Sequence, residues 1–172
     1  MLGVGAGRPA LGKRPLTVAL PAGAAVSCEG GRIAVTDFDT KVAVVVRDDL
    51  AAWQRLNVTA FLMSGVTAQA GAAVIGEPYR DADDREYLPL LVQPVLVYAA
   101  PAEKLGTVLE RAERRGVRVA IYTSDMFTTG KDEDNRAAVR AVATADLDLV
   151  GLALRAAHRD ADAVLKGLKR HP

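Results

Sequence analysis

Only one cysteine, Cys28, and two histidines, His158 and His171, occur in the 172 residues. A lone thiol excludes an internal disulfide framework and a cysteine zinc cluster. Two imidazoles are too few for a multi-histidine metal site within one chain. No apolar run reaches the ~18 residues a membrane-spanning helix needs, so the chain is expected in the cytoplasm with no membrane partner. A phosphate loop is missing as well: Gly3-Val-Gly-Ala-Gly7 has no strand before it and is not a dinucleotide fingerprint. No metal and no cofactor is expected.

What is present is ordinary globular material, half hydrophobic and a quarter charged, enough for one domain with a real core. The net charge of +1 hides an asymmetry. Residues 1–35 hold Arg8, Lys13, Arg14 and Arg32 against Glu29, or +3; the remaining 18 basic and 20 acidic groups give −2. Phosphate neutralisation supplies most nucleic-acid affinity, so a domain at −2 argues against a nucleic-acid partner.

Residues 1–35 therefore read as an N-terminal extension and 36–172 as a single α/β domain. Three readings of the extension are open. Its Gly, Ala and Pro content suits a flexible tail. The apolar Leu16–Val26 stretch before Ala25-Val26-Ser27-Cys28 has the outline of an export signal, interrupted by Pro21 and Gly23. Alternatively the extension is non-native and translation starts near Val35. Leu16–Leu20 and Gly31–Val35 are spaced to pair as a hairpin, which two strands alone seldom sustain in water.

Within the domain, Lys41-Val-Ala-Val-Val-Val-Arg47 has the β-branched continuity of a strand buried on both faces. A helix is expected from about Leu50, capped by Asp49, presenting Trp53, Leu56, Ala60 and Met63 as its apolar face and stopping at Gly65. Val74-Ile75 and Tyr87-Leu88 flank a turn-rich stretch and suggest a rim hairpin. Pro94–Tyr98 reads as a second strand, Pro101–Arg115 as a helix closed by Gly116, and Val117–Thr123 as a third strand. Helices over 132–142 and 160–169 flank a fourth strand, Leu147–Leu154, in which Gly151 signals a close backbone approach. This alternation predicts a three-layer α/β/α domain with a mixed sheet of about four core strands. The strands either side of the Pro101 helix are expected to run parallel.

Ligands of such sheets bind at the carboxyl ends of parallel strands. Those ends carry Arg47-Asp48-Asp49 and Thr123-Ser124-Asp125, with Asn57 and Thr59 close by on the first helix. Arg47, Asp49, Asn57, Thr59, Thr123 and Ser124 are thus candidate ligand-binding residues, and crowding of carboxylates there favours a raised pKa and base behaviour. The competing reading is that Asp49 and Asp125 cap turns, and that the Asn57 amide makes a helix-to-loop bond. Met126-Phe127 form either a lid or a plug of the core edge, beside the polar pair Asn135-Arg136. Neither histidine is placed to complete a triad with Ser124.

The run Lys41-Val-Ala-Val-Val-Val-Arg-Asp-Asp-Leu-Ala-Ala-Trp-Gln-Arg-Leu-Asn-Val-Thr-Ala-Phe61 resembles the opening of a bacterial domain-of-unknown-function family, DUF2000. Gly76-Glu-Pro-Tyr79, Gln93-Pro94, Tyr122-Thr-Ser-Asp-Met-Phe127 and Leu147-Asp-Leu-Val-Gly-Leu152 agree with it in order and spacing, over about Asp37 to Pro172. That family is similar in fold to the type II peptidyl-tRNA hydrolases, whose strand ending Arg-x-Asp-Leu is matched by Arg47, Asp49 and Leu50. Their later aspartate is matched by Asp125, and their turn lysine at best by Arg55, since Ala51–Leu56 has no lysine and no glycine. The resemblance implies Asp125 and Arg55 as catalytic residues and tRNA as a partner. Arginine is a poor proton shuttle, which together with the charge balance weighs against ester hydrolysis.

Three functions follow as expectations. The first is binding or processing of a small molecule at the strand ends, the second a peptidyl-tRNA hydrolase-like activity, and the third a non-catalytic homodimer.

Overall fold

A computed structural model describes residues 38–171 and two short pieces, β1 (Cys28–Glu29) and β2 (Arg32–Ile33), which pair antiparallel. Arg32–Ile33 thus finds its partner next door in sequence; Leu16–Leu20 and the Gly3–Gly7 stretch lie outside the described residues.

β3 (Thr40–Arg47) is the axis of the molecule. Successive side chains of a strand face opposite sides, so Val42, Val44 and Val46 enter one apolar cluster and Ala43 and Val45 the other. The first cluster is covered by α1 (Ala52–Ala70) through Val58, Leu62 and Val66. The second is covered by α2 (Ala102–Glu113) through Leu105, Val108 and Ala112, and by α4 (His158–Val164) through Ala161 and Val164. Helices on both faces of one sheet are the three layers expected.

The sheet has five strands, adding β6 (Val95–Ala100), β7 (Val119–Thr123), β8 (Leu149–Ala157) and β9 (Lys169–Arg170), in the order β7-β8-β3-β6-β9. β3 and β6 are parallel neighbours, whereas β8 runs antiparallel between β3 and β7, and β9 antiparallel beside β6. β6 and β7 therefore share a direction, as expected of the strands flanking α2, but β3 and β8 stand between them. β9 falls where a continuous closing helix is expected. α4 ends at Val164, and the Gly167 turn, at φ 82°, sends the last residues back along β6. At the start of the sheet, buried Gln93 donates its amide to the Thr40 carbonyl and accepts the Thr40 hydroxyl, tying β6 to β3.

α1 departs from expectation twice. It runs through Gly65, whose φ is unexceptional, and ends at Gly71, where φ is 62°. At Gly65 the missing Cβ serves packing instead: a Cβ there would stand 3.0 Å from that of Ala120 on β7. The buried face is Val58, Leu62 and Val66, whereas Trp53, Leu56 and Ala60 face solvent and Met63 is only half-buried. Both stripes satisfy helical spacing. Gly151 of β8 chooses between them, because Val58 and Leu62 descend into the gap left by its absent side chain.

Between α1 and β6 the chain forms an arm. Its strands are β4 (Tyr79–Arg80) and β5 (Glu86–Tyr87), so the expected piece at Tyr87 pairs with Tyr79 and not with Val74-Ile75; Ile75 bridges to Leu91 at its base. α3 (Asp132–Arg140), with no fully buried residue, packs beside the short turn Ser124–Phe127 that follows β7. Among the described residues no helix is long and apolar enough to cross a membrane.

Candidate functional site

The carboxyl ends of β3 and β7 lie at the same end of the sheet with the start of β8 between them, so Asp148 joins Arg47. The guanidinium donates from Nε to Asp49 at 2.7 Å and from Nη1 to Asp148 at 2.6 Å. Partial burial disfavours its charge, but the hydrogen bond to Asp49 and the fields of both carboxylates outweigh that and raise the Arg47 pKa further. Asp49 is therefore occupied by an ion pair and does not cap α1. The Gln54 side chain does so by accepting the Ala51 N–H at 3.0 Å. Charge-assisted bonds to a fixed guanidinium outcompete a cap of neutral donors.

Asp125 is exposed, and its carboxylate makes no cap bond, hydrogen bond or ion pair. The adjoining Ser124 N–H donates to the Asp148 carbonyl at 2.9 Å, stitching the β7 end to β8. Thr123 is fully buried and its hydroxyl has no partner. On α1, Thr59 returns its hydroxyl to the Arg55 carbonyl at 2.8 Å, a local bond within the helix. Asn57 is half-buried, and its amide has no hydrogen bond, so the helix-to-loop bond is not made. It stands one turn from Trp53 and one from Phe61. Those rings meet Phe127 and Tyr122 edge-on, each pair at 5.9 Å between centroids.

Arg55 points the other way. Its Nε donates to the Leu50 carbonyl at 2.8 Å, and Nη1 lies 3.1 Å from His171 Nε2, just beyond β9. β9 and β7 are opposite edges of the sheet, so Arg55 and Asp125 are not brought together. His158 is also engaged elsewhere, its Nε2 against the Phe38 carbonyl, and forms no triad with Ser124.

A cleft sits one step from the expected place, along the open edge of β7. It has a volume of about 500 Å3 and lies between α1, β7 and α3. Phe61, Leu62, Tyr122, Met126 and Val139 make its apolar floor, and Asp132, Asn135, Arg136 and Arg140 its polar rim. The successive residues Ala120, Ile121 and Tyr122 all line it. Their side chains alternate between faces, so the cleft must run against the strand edge itself. Burial pushes the Tyr122 phenol up from its ordinary pKa, keeping it neutral. Its hydroxyl reaches the Met126 carbonyl at 3.4 Å, so Met126-Phe127 close the end of the α1-side core.

The rim is asymmetric in its chemistry. Arg136 is paired with Asp132, and the Asn135 carbonyl oxygen accepts the Thr129 hydroxyl, leaving its NH2 group to donate. Arg140 is exposed and has no ion pair. Sequence reasoning reaches Tyr122, Met126, Asn135 and Arg136 through the motif after β7. Arg140, Val139 and Gly65 carry no local signal, because only the packing of α3 beside β7 makes them neighbours. Among the described residues no group of three His, Cys, Asp or Glu side chains is arranged to hold a metal ion.

Comparison with known proteins agrees with this architecture. No curated protein matches the chain. Among solved structures it is similar to a protein of unknown function, Atu0240, from Agrobacterium tumefaciens strain C58. The two are 46% identical over 78% of this chain and 99% of that one, with a TM-score of 0.76. The profile of the family described as protein of unknown function (DUF2000) matches residues 40–172, the whole of the sheet and its helices, and the chain belongs to that family.

Proposed function

We propose that this protein binds a small anionic molecule with an apolar or aromatic body in the cleft between α1, β7 and α3. The observation that carries the reading is the pairing of a mainly apolar floor with a rim that offers donors: the Asn135 NH2 group and the unpaired Arg140 guanidinium. A floor of Phe61, Leu62, Tyr122 and Met126 gains by covering apolar surface, and guanidinium recognises carboxylate or phosphate through paired N–H donors. At about 500 Å3 the cleft has the size of a metabolite site. Asn57, Ser124 and Asp125 are not among the residues lining this cleft: Ser124 and Asp125 follow β7, and Asn57 stands one helical turn before Phe61.

The Arg47, Asp49, Leu50 and Asp125 matches support kinship of fold with the type II peptidyl-tRNA hydrolases. They do not support the reaction as the better reading, since the Arg55 guanidinium on α1 is turned to His171, just beyond β9, while Asp125 follows β7 at the other edge of the sheet.

Thermal-shift screening of aromatic and branched aliphatic carboxylates and phosphates against the full chain tests the proposal. Hits are expected that Arg140→Glu weakens at least tenfold by titration calorimetry and that Ser64→Trp, at the cleft wall, blocks. A hit unaffected by both variants, or no hit across the anion panel, refutes it.

A further inference from the structure

Among the described residues, the large hydrophobic side chains left exposed fall within one span of sequence. Trp53, Leu56 and Phe61 lie on α1; Tyr79, Tyr87, Leu88 and Leu90 lie on the arm. Leu56 is 73% and Leu88 85% exposed. Phe61 belongs to the cleft floor; at ~150–250 Å2 for each fully exposed aromatic side chain and somewhat less for leucine, scaled by their exposure, the other six present about 800 Å2 per molecule. The α1 group and the arm group each fall short of the ~800 Å2 per partner that a stable interface buries, and reach it only together.

The arm itself is built to hold its shape. The Asp81 carboxylate accepts the N–H groups of Asp83 and Arg85, both at 3.0 Å, and the Tyr87 hydroxyl at 2.8 Å. Its base is pinned by the Gly76 N–H to Leu90 carbonyl bond at 2.9 Å and the Val92 N–H to Val74 carbonyl bond at 3.0 Å. Yet β4 and β5 pack extensively only on each other, and an isolated two-stranded hairpin is marginal in water. Among the described residues nothing covers the exposed Tyr and Leu side chains of this arm.

The two apolar regions sit at opposite ends of α1. Trp53 and Leu56 are in its first two turns, and the arm leaves the body just after its last. Nineteen residues separate these ends by about 28 Å. A two-fold axis crossing α1 near Ala60, which is exposed at its middle, turns the helix end for end. The arm of each molecule then comes beside the first turns of the other's α1. Both regions are covered twice by one operation, as an isologous interface requires. We infer that the occupant is a second copy of this chain: the protein is a two-fold homodimer in which α1 packs on α1 and the arms clasp across it.

Sedimentation of the full chain tests this directly. A dimer is expected at 10 µM, and Leu56→Glu on the helix and Leu88→Glu on the arm are each expected to raise its dissociation constant at least a hundredfold. Both positions are exposed within the molecule, so circular dichroism should show unchanged fold. A Cys28→Ser, Ala60→Cys variant should form a disulfide-linked dimer rapidly under mild oxidation, because the axis places position 60 near its own copy. A monomeric wild type at 100 µM overturns the inference, including one that sediments with phosphatidylglycerol vesicles and so assigns the stripe to a lipid surface. A dimer indifferent to both glutamate variants, or an Ala60→Cys variant that does not cross-link, overturns the two-fold arrangement.

Discussion

Gly151→Ala measures the contact that seats α1 on the sheet. A Cβ at this position of β8 would lie 2.5 Å from Val58 Cγ1, 2.9 Å from Leu62 Cδ1 and 3.3 Å from the Val45 carbonyl oxygen. Carbon atoms pack best at 3.5–4.0 Å, so the first contact is short by about 1 Å. Val58 and Leu62 are fully buried and have no free volume to turn into, which leaves displacement of α1 from β8 as the response. Overpacking of this kind costs roughly 1–3 kcal/mol, while leaving glycine in a strand returns ~0.5–1 kcal/mol of backbone entropy. A net loss of about 1 kcal/mol is expected, or roughly 4 °C in Tm for a domain of this size. Urea unfolding of both proteins reads the difference as a shift of midpoint with unchanged slope. The cause is isolated by Val58→Ala, which opens a cavity in the wild type and costs ~2 kcal/mol there. In the Gly151→Ala background it removes the nearest clashing methyl group, Val58 Cγ1. The double variant should be more stable than the sum of the two losses by at least ~1 kcal/mol. A Gly151→Ala protein as stable as wild type, or strict additivity of the pair, refutes the view that this gap selects the face of α1.

Two further measurements probe the strand end and the arm. Thr123→Val removes a fully buried hydroxyl that has no partner and keeps its shape, so stability should rise by about 1 kcal/mol in urea; a loss instead would show that the hydroxyl is satisfied in solution. For the arm, the Arg85 N–H, the Tyr87 hydroxyl and the Asp83 N–H bonded to Asp81 hold its carboxyl below the ordinary 3.8. A depressed carboxyl pKa contributes stability above the unfolded value that is lost as pH falls through the folded one. Hydrogen exchange at the Asp83 and Arg85 amides should therefore speed up selectively below pH 3.8, and Asp81→Asn should abolish that dependence. Loss of arm protection already at pH 5 would assign the transition to another group.

Much of the sheet was legible from residues alone. The β-branched run of β3, the Pro101 and Gly116 boundaries of α2, and the closeness signalled by Gly151 are local properties: torsional preference, a missing N–H, a missing Cβ. The polar ends of β3 and β7 were recognisable for the same reason, since chain direction places them. What the local pattern left open was any choice between equals. α1 carries two apolar stripes at helical spacing, and periodicity alone ranks Trp53, Leu56 and Ala60 as highly as Val58, Leu62 and Val66. Only the contour of β8 decides, by admitting Val58 and Leu62 where residue 151 has no side chain. β9 was hidden because two residues show no periodicity. They become a strand through the free edge of β6, which the Gly167 turn lets them reach. The cleft rim was hidden in the same way: Arg140 and Ser64 are distant in sequence and meet only because α3 settles against the open edge of β7. The sequence by itself thus determined the elements and the chemistry at their ends. The tertiary structure decided which faces are covered, because burial depends on the shape of the opposing surface.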